Sequence, residues 1–458
     1  MPSRLCTRAT LIVAAVLYGT TGLAQESRRP AATSGKLAIV GGYLIDGNGG
    51  TPIPRSVVLI EGERISHVGT VADTPIPADA TVVSAWGKTV SPGLNDAHVH
   101  VMIVGHGIYD EYFPKYGRRY KEVMPISARQ LLLAGVTSAR DLGAPLEDIL
   151  WLKKEIDAGR LVGPRMFVSG PFLQHSLPRA EGTSTGYDSS IQAPFRWVVS
   201  GAEDARAKTR RLIDAGVDLI KVIQIGELTR EERLAIAAEA KRGGRHIAVH
   251  ASSTPEVRAA VELGAGTIEH VGGGSKPLLD EESVRLIVEN GIHYVPTSVV
   301  SKIFNITEAY PARLDNPRLE KELPKDLFDD AQRTFAHISR LNYFAGRASN
   351  RHHAAKVMQL YNAGARVLIG TDSGTPLNFH FESTWQEMDL LVQYGMPPMA
   401  VIQAATKLPA LLYGRGRELG TIEPGRLADI IVLEGNPLQR MSAYSDVVHV
   451  IKGGVQFK

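Results

Sequence analysis

Between Ser91 and Tyr413 one unit recurs along this chain: an amphipathic helical stretch, a small residue with Gly, then a short apolar strand. It reads as LLLAG-VTSARD, EIDAG-RLVGPRMFVSG, LIDAG-VDLIKV, VELGAG-TIEH, IVENG-IHYVPT and LYNAG-ARVLIGTD. A glycine just past a helix adopts the left-handed conformation that ends it, and a helix alternating with a buried strand implies parallel pairing. Eight strands are expected, centred near Leu94, Val136–Ala139, Met166–Ser169, Leu219–Val222, Ile247–His250, Thr267–His270, Tyr294–Thr297 and Val367–Thr371. Spread over about 320 residues, such units have the size and order of an α/β fold of the (β/α)8 barrel type, which places a TIM barrel at 91–415.

The flanks break this pattern. Residues 36–90 and 416–458 read as short strands and turns, for instance SVVLIEGERISHVG and GRLADIIVLEGN. Two all-β flanks on one barrel are expected to meet as a small β-sandwich. The stretch Ser298 to Arg351 is too long for a simple turn, so a long excursion after the seventh strand, with helices of its own, is expected on the rim where barrel active sites lie.

Residues 1–24 follow a different logic: Arg4 and Arg8, an apolar run from Leu11 to Leu17, then Gly22 and Ala24. This is the pattern of a secretory signal peptide cleaved near Ala24, which predicts a secreted or periplasmic enzyme; an uncleaved anchor is the alternative. The single cysteine, Cys6, lies in that leader, so the mature chain carries no disulfide or thiolate, and any metal is held by nitrogen and oxygen. With 51 Lys+Arg against 48 Asp+Glu, the formal charge of +3 supports neither nucleic-acid binding nor a membrane partner after cleavage.

The densest chemistry is Asp96-Ala-His98-Val-His100 at the end of the first strand. Side chains alternate along a strand, so His98 and His100 face one way, about 7 Å apart and able to converge on one ion. On its own such a pair is as readily packed or solvated. Four other metal-suited residues also sit at strand ends: Lys221, His250, His270 and Asp372. Strand ends of a barrel converge on one rim, which brings such residues together. Lys221 alone would read as a snorkelling surface lysine. Buried near cations, it would lose its proton and take up CO2 as a carbamate, an anionic ligand that can bridge two metals. Asp372 alone could be a helix N-cap. Asp96 is either an orienter of an imidazole or structural. Glu269 alternates away from His270 and reads as structural, His246 as packed, and His352 and His353 as a solvated helix face.

With these motifs together, the chain resembles the amidohydrolase superfamily, in its imidazolonepropionase-like branch that includes prolidase-like dipeptidases and N-acyl-amino-acid amidohydrolases. The resemblance spans nearly the whole mature chain, through SPGLNDAHVH, LLLAGVTSARDLG, DLIKV, AVHA, TIEHV, GARVLIGTDSG and ELGTIEPGRLADIIVLEGNPL. It implies two divalent metal ions, with zinc favoured by the nitrogen ligands and manganese or cobalt tolerated. One ion would be held by His98, His100 and Asp372, the other by His250 and His270, with the carbamate on Lys221 between them. Two cations lower the pKa of a shared water and polarise the scissile carbonyl. Asp372 would be the catalytic residue, taking the water's proton and passing it to the leaving amine.

For the substrate, His175 stands where the family carries a histidine, and is the candidate partner of a substrate carboxylate. Arg179, Tyr187, Arg313 and Arg318 are further pocket candidates that read equally as solvated surface. The expected activity is that of an exported binuclear metal-dependent hydrolase of a small-molecule dipeptide or N-acyl amino acid. A hydrolase of a cyclic amide, lactone or aryl ester, and a non-catalytic binding protein on the same fold, are the alternatives. Assembly as a homo-oligomer fits the habit of large relatives.

Overall fold

The computed structural model describes residues 35–105, 109–177, 193–271, 276–305, 316–336 and 352–458. The leader at 1–24, and with it Arg179, Tyr187 and Arg313, lies outside the described residues.

The protein is α/β, and each of the eight expected strands coincides with an observed one. Leu94–Val99, Val136–Asp141 and Arg165–Val168 form a three-stranded parallel sheet in chain order. A seven-stranded parallel sheet carries Leu219–Val222, His246–Ala251, Thr267–His270, His293–Val295 and Arg366–Val367, also in chain order. Two strands were not foreseen: Phe172–Gln174 and Arg196–Val198 pair with each other and extend the second sheet beyond Leu219–Val222. Backbone hydrogen bonds run between the sheets on both sides, from Asp218 N to Val168 O (2.8 Å) and from Ala97 N to Ile369 O (2.8 Å).

These strands are short and apolar because they are buried on both faces. Leu219–Val222 is buried at every position, and the helices before it and before Thr267–His270 end as the repeat predicts, with Gly216 (φ +95°) and Gly264 (φ +77°) in the left-handed conformation. Helices Arg230–Arg242 and Thr254–Leu263 start with capping boxes, Thr229 with Glu232 and Ser253 with Glu256. Such boxes satisfy backbone N–H groups that the first turn leaves unpaired. The excursion after the seventh strand holds the helices Ser298–Asn305, Pro317–Glu322 and Lys325–Ala336 among the described residues.

The flanks do meet, though not as two separately bonded sheets. Thr89–Pro92 pairs antiparallel with Ile430–Leu433, so strands from both flanks belong to one eight-stranded sheet. The sheet forks at Lys36–Leu44, whose register shifts past Val40: residues 36–40 pair with Ala80–Ser84, and Tyr43 and Leu44 with Thr89 and Val90. The bulge bends the strand and lets it serve two partners, with Ile39, Val58, Val90 and Ile430 buried in the core on one face. Among the described residues no helix is long and apolar enough to cross a membrane.

Candidate metal centre

At the ends of the parallel strands lies a cavity of ≈ 280 Å³, and all six side chains expected to hold metal line it: His98, His100, Lys221, His250, His270 and Asp372. His100 Nε2 lies 3.0 Å and His98 Nε2 3.5 Å from Asp372 Oδ1. The imidazole rings of His98 and His270 are 5.0 Å apart, and those of His250 and His270 4.4 Å. His98, His270 and Asp372 each offer a ligand atom within 4.8 Å of the others, a cluster that joins two members expected on one ion, His98 and Asp372, to one expected on the other, His270.

Close backbone approach makes this possible. A Cβ on Gly370 would stand 2.9 Å from His98 Cβ, and one on Gly374 would enter His100 O, so glycine on both sides of Asp372 lets the eighth strand lie against the first. Asp372 itself has φ +56°, His270 +79° and Thr297 +50°. Holding such residues in the left-handed region costs of order 1–3 kcal/mol each and is concentrated at functional sites. The strain turns His270 so that Nδ1 meets Thr297 Oγ1 at 2.8 Å.

The electrostatics favour neutral ligands. Burial, and after it the charges of Lys221 and His100, hold the His98 imidazole well below the usual histidine range. Burial and the neighbouring His250 and His98 do the same to His270. His250 is lowered to about 3, chiefly by burial and then by Lys221. Burial also brings the Lys221 ammonium down to about 8, against the opposing pull of Glu269 and Asp372. Lys221 is 2% exposed, and among the described residues its Nζ has no hydrogen-bond partner; neither has His100 Nδ1. A buried lysine without a partner is costly. Neutral imidazoles, a carboxylate and an orphaned amine around one void make a donor set that fits divalent cations.

Glu269 corrects an expectation. It does not point away from the site: its Oε2 accepts from His98 Nδ1 at 2.9 Å, while Oε1 takes Arg140 Nη2 at 2.8 Å and Thr267 Oγ1 at 2.5 Å. With Nδ1 donating to Glu269, the His98 lone pair is left on Nε2, which faces Asp372. Asp96 is the structural member: it accepts from Thr371 N and Oγ1 and from Thr384 Oγ1, locking the eighth strand to the following helix rather than turning an imidazole. His353 is likewise buried rather than solvated, with Nε2 3.0 Å from Ser298 Oγ.

His175 does not join the cavity. It is exposed just past the end of Phe172–Gln174, and by alternation it does not share the face of Phe172, the residue of that strand that lines the cavity. Arg318 stacks over Phe381 and pairs with Glu322. Among the described residues the cation in the cavity wall besides Lys221 is Arg196, and Tyr109, Phe113, Phe172 and Phe195 form an aromatic wall. Lys115 and Tyr116 bond Asp330 at 2.5 and 2.6 Å, tying the helix that carries Tyr109 and Phe113 to the excursion.

The sequence model of the amidohydrolase family matches residues 89–456, from the strand that joins the two flanks through all six of these cavity-lining residues. The chain belongs to the amidohydrolase family. It is a hydrolase of carbon–nitrogen bonds. This amidohydrolase is 28% identical over 461 residues to ochratoxinase from Aspergillus niger, covering 92% of this chain and 86% of that protein. It is 24% identical to an imidazolonepropionase from Geobacillus kaustophilus (strain HTA426), covering 89% of each. Among solved structures, a Xaa-Pro dipeptidase with methionine bound in its active site superposes with a TM-score of 0.73 at 27% identity, over 92% of this chain and 99% of that one. Membership of this family implies a TIM barrel with a flanking domain, and the parallel α/β sheets and the joined flanks of this amidohydrolase are in keeping with it.

Proposed function

We propose that this amidohydrolase is an exported enzyme that uses two divalent cations to hydrolyse the amide bond of a dipeptide or an N-acyl amino acid. The carrying observation is that six ligand-type side chains from five strands line one cavity, with the buried Lys221 amine lacking a hydrogen-bond partner among the described residues. His98, His100, His250, His270 and Asp372 would hold the cations, and the nitrogen-rich set favours zinc. When bound, divalent cations lower the pKa of a coordinated water and polarise a carbonyl oxygen.

The residues of the chain supply the rest. An amine with its pKa at about 8 has a neutral fraction at physiological pH; its lone pair would add to the carbon of CO2, forming an N–C bond as a C=O π bond opens and losing a proton, and the resulting carbamate would give Lys221 an anionic oxygen donor for the cations. Asp372 Oδ1, 3.0 Å from His100 Nε2, takes the proton of the attacking water and returns it to the leaving nitrogen. Glu269 fixes the His98 tautomer. Closure of the parallel strands into a (β/α)8 barrel belongs to the same reading, supported by the hydrogen bonds from Asp218 to Val168 and from Ala97 to Ile369. Export rests on the leader at 1–24.

Turnover on matched panels of dipeptides, N-acyl amino acids, lactones and aryl esters tests the proposal, before and after chelation and metal return. Hydrolysis of amides bearing a free carboxylate, lost with the metal and restored by it, is expected. Activity confined to lactones or esters would overturn the substrate reading.

A further inference from the structure

The metal ligands account for one part of the cavity wall and leave the rest without a task. Arg196 and the rings of Phe113, Phe172 and Phe195 line the same void. Phe113 and Phe195 stack with centroids 5.2 Å apart at 30°, and Phe172 meets Phe195 edge-on at 6.3 Å. The Arg196 guanidinium lies 5.3 Å from the Phe172 centroid and 5.5 Å from that of Phe195, and its Nη1 donates to Gln174 Oε1 at 3.1 Å. It is therefore held in place on three sides. Phe172 belongs to the strand Phe172–Gln174 and Phe195 immediately precedes the strand Arg196–Val198, and the two strands pair in parallel register.

A fixed guanidinium beside apolar rings is suited to one kind of ligand. Guanidinium groups recognise carboxylates through paired N–H donors, and a planar cation already resting on aromatic faces loses little freedom when it does so. Rings at the same place exclude water and take up a large apolar group. A cavity near 280 Å³ lies at the small end of ligand sites, which run from about 300 to 1,000 Å³, and so suits a substrate of dipeptide size.

The geometry points to Arg196 as the residue that determines specificity: it pairs with the free carboxylate of the amino acid being released, while Phe113, Phe172 and Phe195 take a large apolar, preferentially aromatic, side chain of that same amino acid. This inference rests on the amidohydrolase reading above and narrows it to N-acyl or aminoacyl derivatives of bulky apolar amino acids. It replaces His175, which is exposed, as the carboxylate partner.

The test compares N-acetyl-L-phenylalanine, its carboxamide and N-acetylglycine on the metal-loaded full chain and on Arg196→Met and Arg196→Lys. The wild type is expected to prefer the phenylalanine acid over its carboxamide by about 10- to 100-fold in kcat/KM, the span a charge-assisted pair supplies. It should prefer phenylalanine over glycine as well. In Arg196→Met the acid-over-amide preference falls to within about threefold, through KM more than kcat, with turnover of the carboxamide retained; Arg196→Lys recovers part of it. A wild type that treats acid and amide alike, or an Arg196→Met variant that keeps the preference, overturns the inference. Binding of 3-phenylpropanoate and 3-phenylpropanamide to the same proteins, followed by calorimetry, separates this from failure of the hydrolytic reading. Tighter binding of the acid that disappears in Arg196→Met supports Arg196 even without turnover, and equal loss or equal retention of both ligands refutes it.

Discussion

Glu269→Gln probes the hidden support of the metal centre, and its effects can be worked from the distances. Glu269 is wholly buried, with His98 Nδ1 at 2.9 Å on one oxygen and Arg140 Nη2 at 2.8 Å, beside the Thr267 hydroxyl, on the other, and Arg140 is wholly buried too. Glutamate presents an acceptor to each, whereas glutamine has one acceptor and one donor end. With the amide oxygen toward Arg140, the NH2 faces His98 and forces the proton onto Nε2, the atom that has to bind metal. With the amide reversed, the NH2 meets the guanidinium. Removing the anion from a buried pair costs about 3–5 kcal/mol of stability. Losing the orienter of a ligating imidazole costs about 10- to 100-fold in metal affinity, or about 1.4–2.8 kcal/mol. Urea unfolding reads the first and competition with a calibrated chelator reads the second. A variant that loses stability but keeps wild-type metal affinity refutes the tautomer argument; one that keeps both refutes any part for Glu269.

Further substitutions address other links. Asp372→Asn keeps a side chain of the same shape but removes the proton acceptor, so kcat is expected to fall by about 10²–10⁴-fold with an unchanged circular dichroism spectrum; activity near wild type would remove Asp372 from proton transfer. Gly370→Ala places a Cβ against His98 and Val295, and should weaken metal retention measured by dialysis while leaving the flanking sheet, with its separate core, folded. Glu387 is buried and accepts from Ser298 N at 2.9 Å and Val299 N at 2.7 Å, and burial raises its pKa to about 8. Its folded-state pKa lies above the unfolded value of 4.5, so the contribution to stability is complete below pH 4.5 and is lost as the pH rises toward 8. Glu387→Gln should flatten the pH–stability profile in that window, and an unchanged slope would contradict the assignment.

That six residues would meet at one cavity was legible in the chain because Lys221, His250, His270 and Asp372 stand where helix–Gly–strand units end and His98 and His100 where the first parallel strand ends, and strand ends of parallel sheets share a rim. Lys221, His250 and His270 were readable from LIKV, AVH and TIEH for that reason alone. Alternation misled at Glu269. The rule that neighbours face opposite ways holds for extended backbone, whereas His270 and Val271 lie at φ +79° and +40°, so His270 turns into the cavity that Glu269 already supports from within. Arg196 was hidden for a different reason. Its strand is three residues long and joins Phe172–Gln174 across more than twenty residues of sequence, too short for any period to register. The flanks were expected to meet and do, but the fork that merges them into one sheet depends on two register shifts, between Val40 and Gly42 and between Gly42 and Leu44, which no pattern of apolar residues announces.

The central claim is that six convergent side chains bind cations, with Lys221 bridging. Its most direct test is the metal content of the purified chain by plasma mass spectrometry, beside that of Lys221→Ala. The account predicts about two divalent ions per wild-type chain, falling to one or none in the variant together with activity. A fully active wild type without bound metal, or a variant that retains both ions and full turnover, would contradict it.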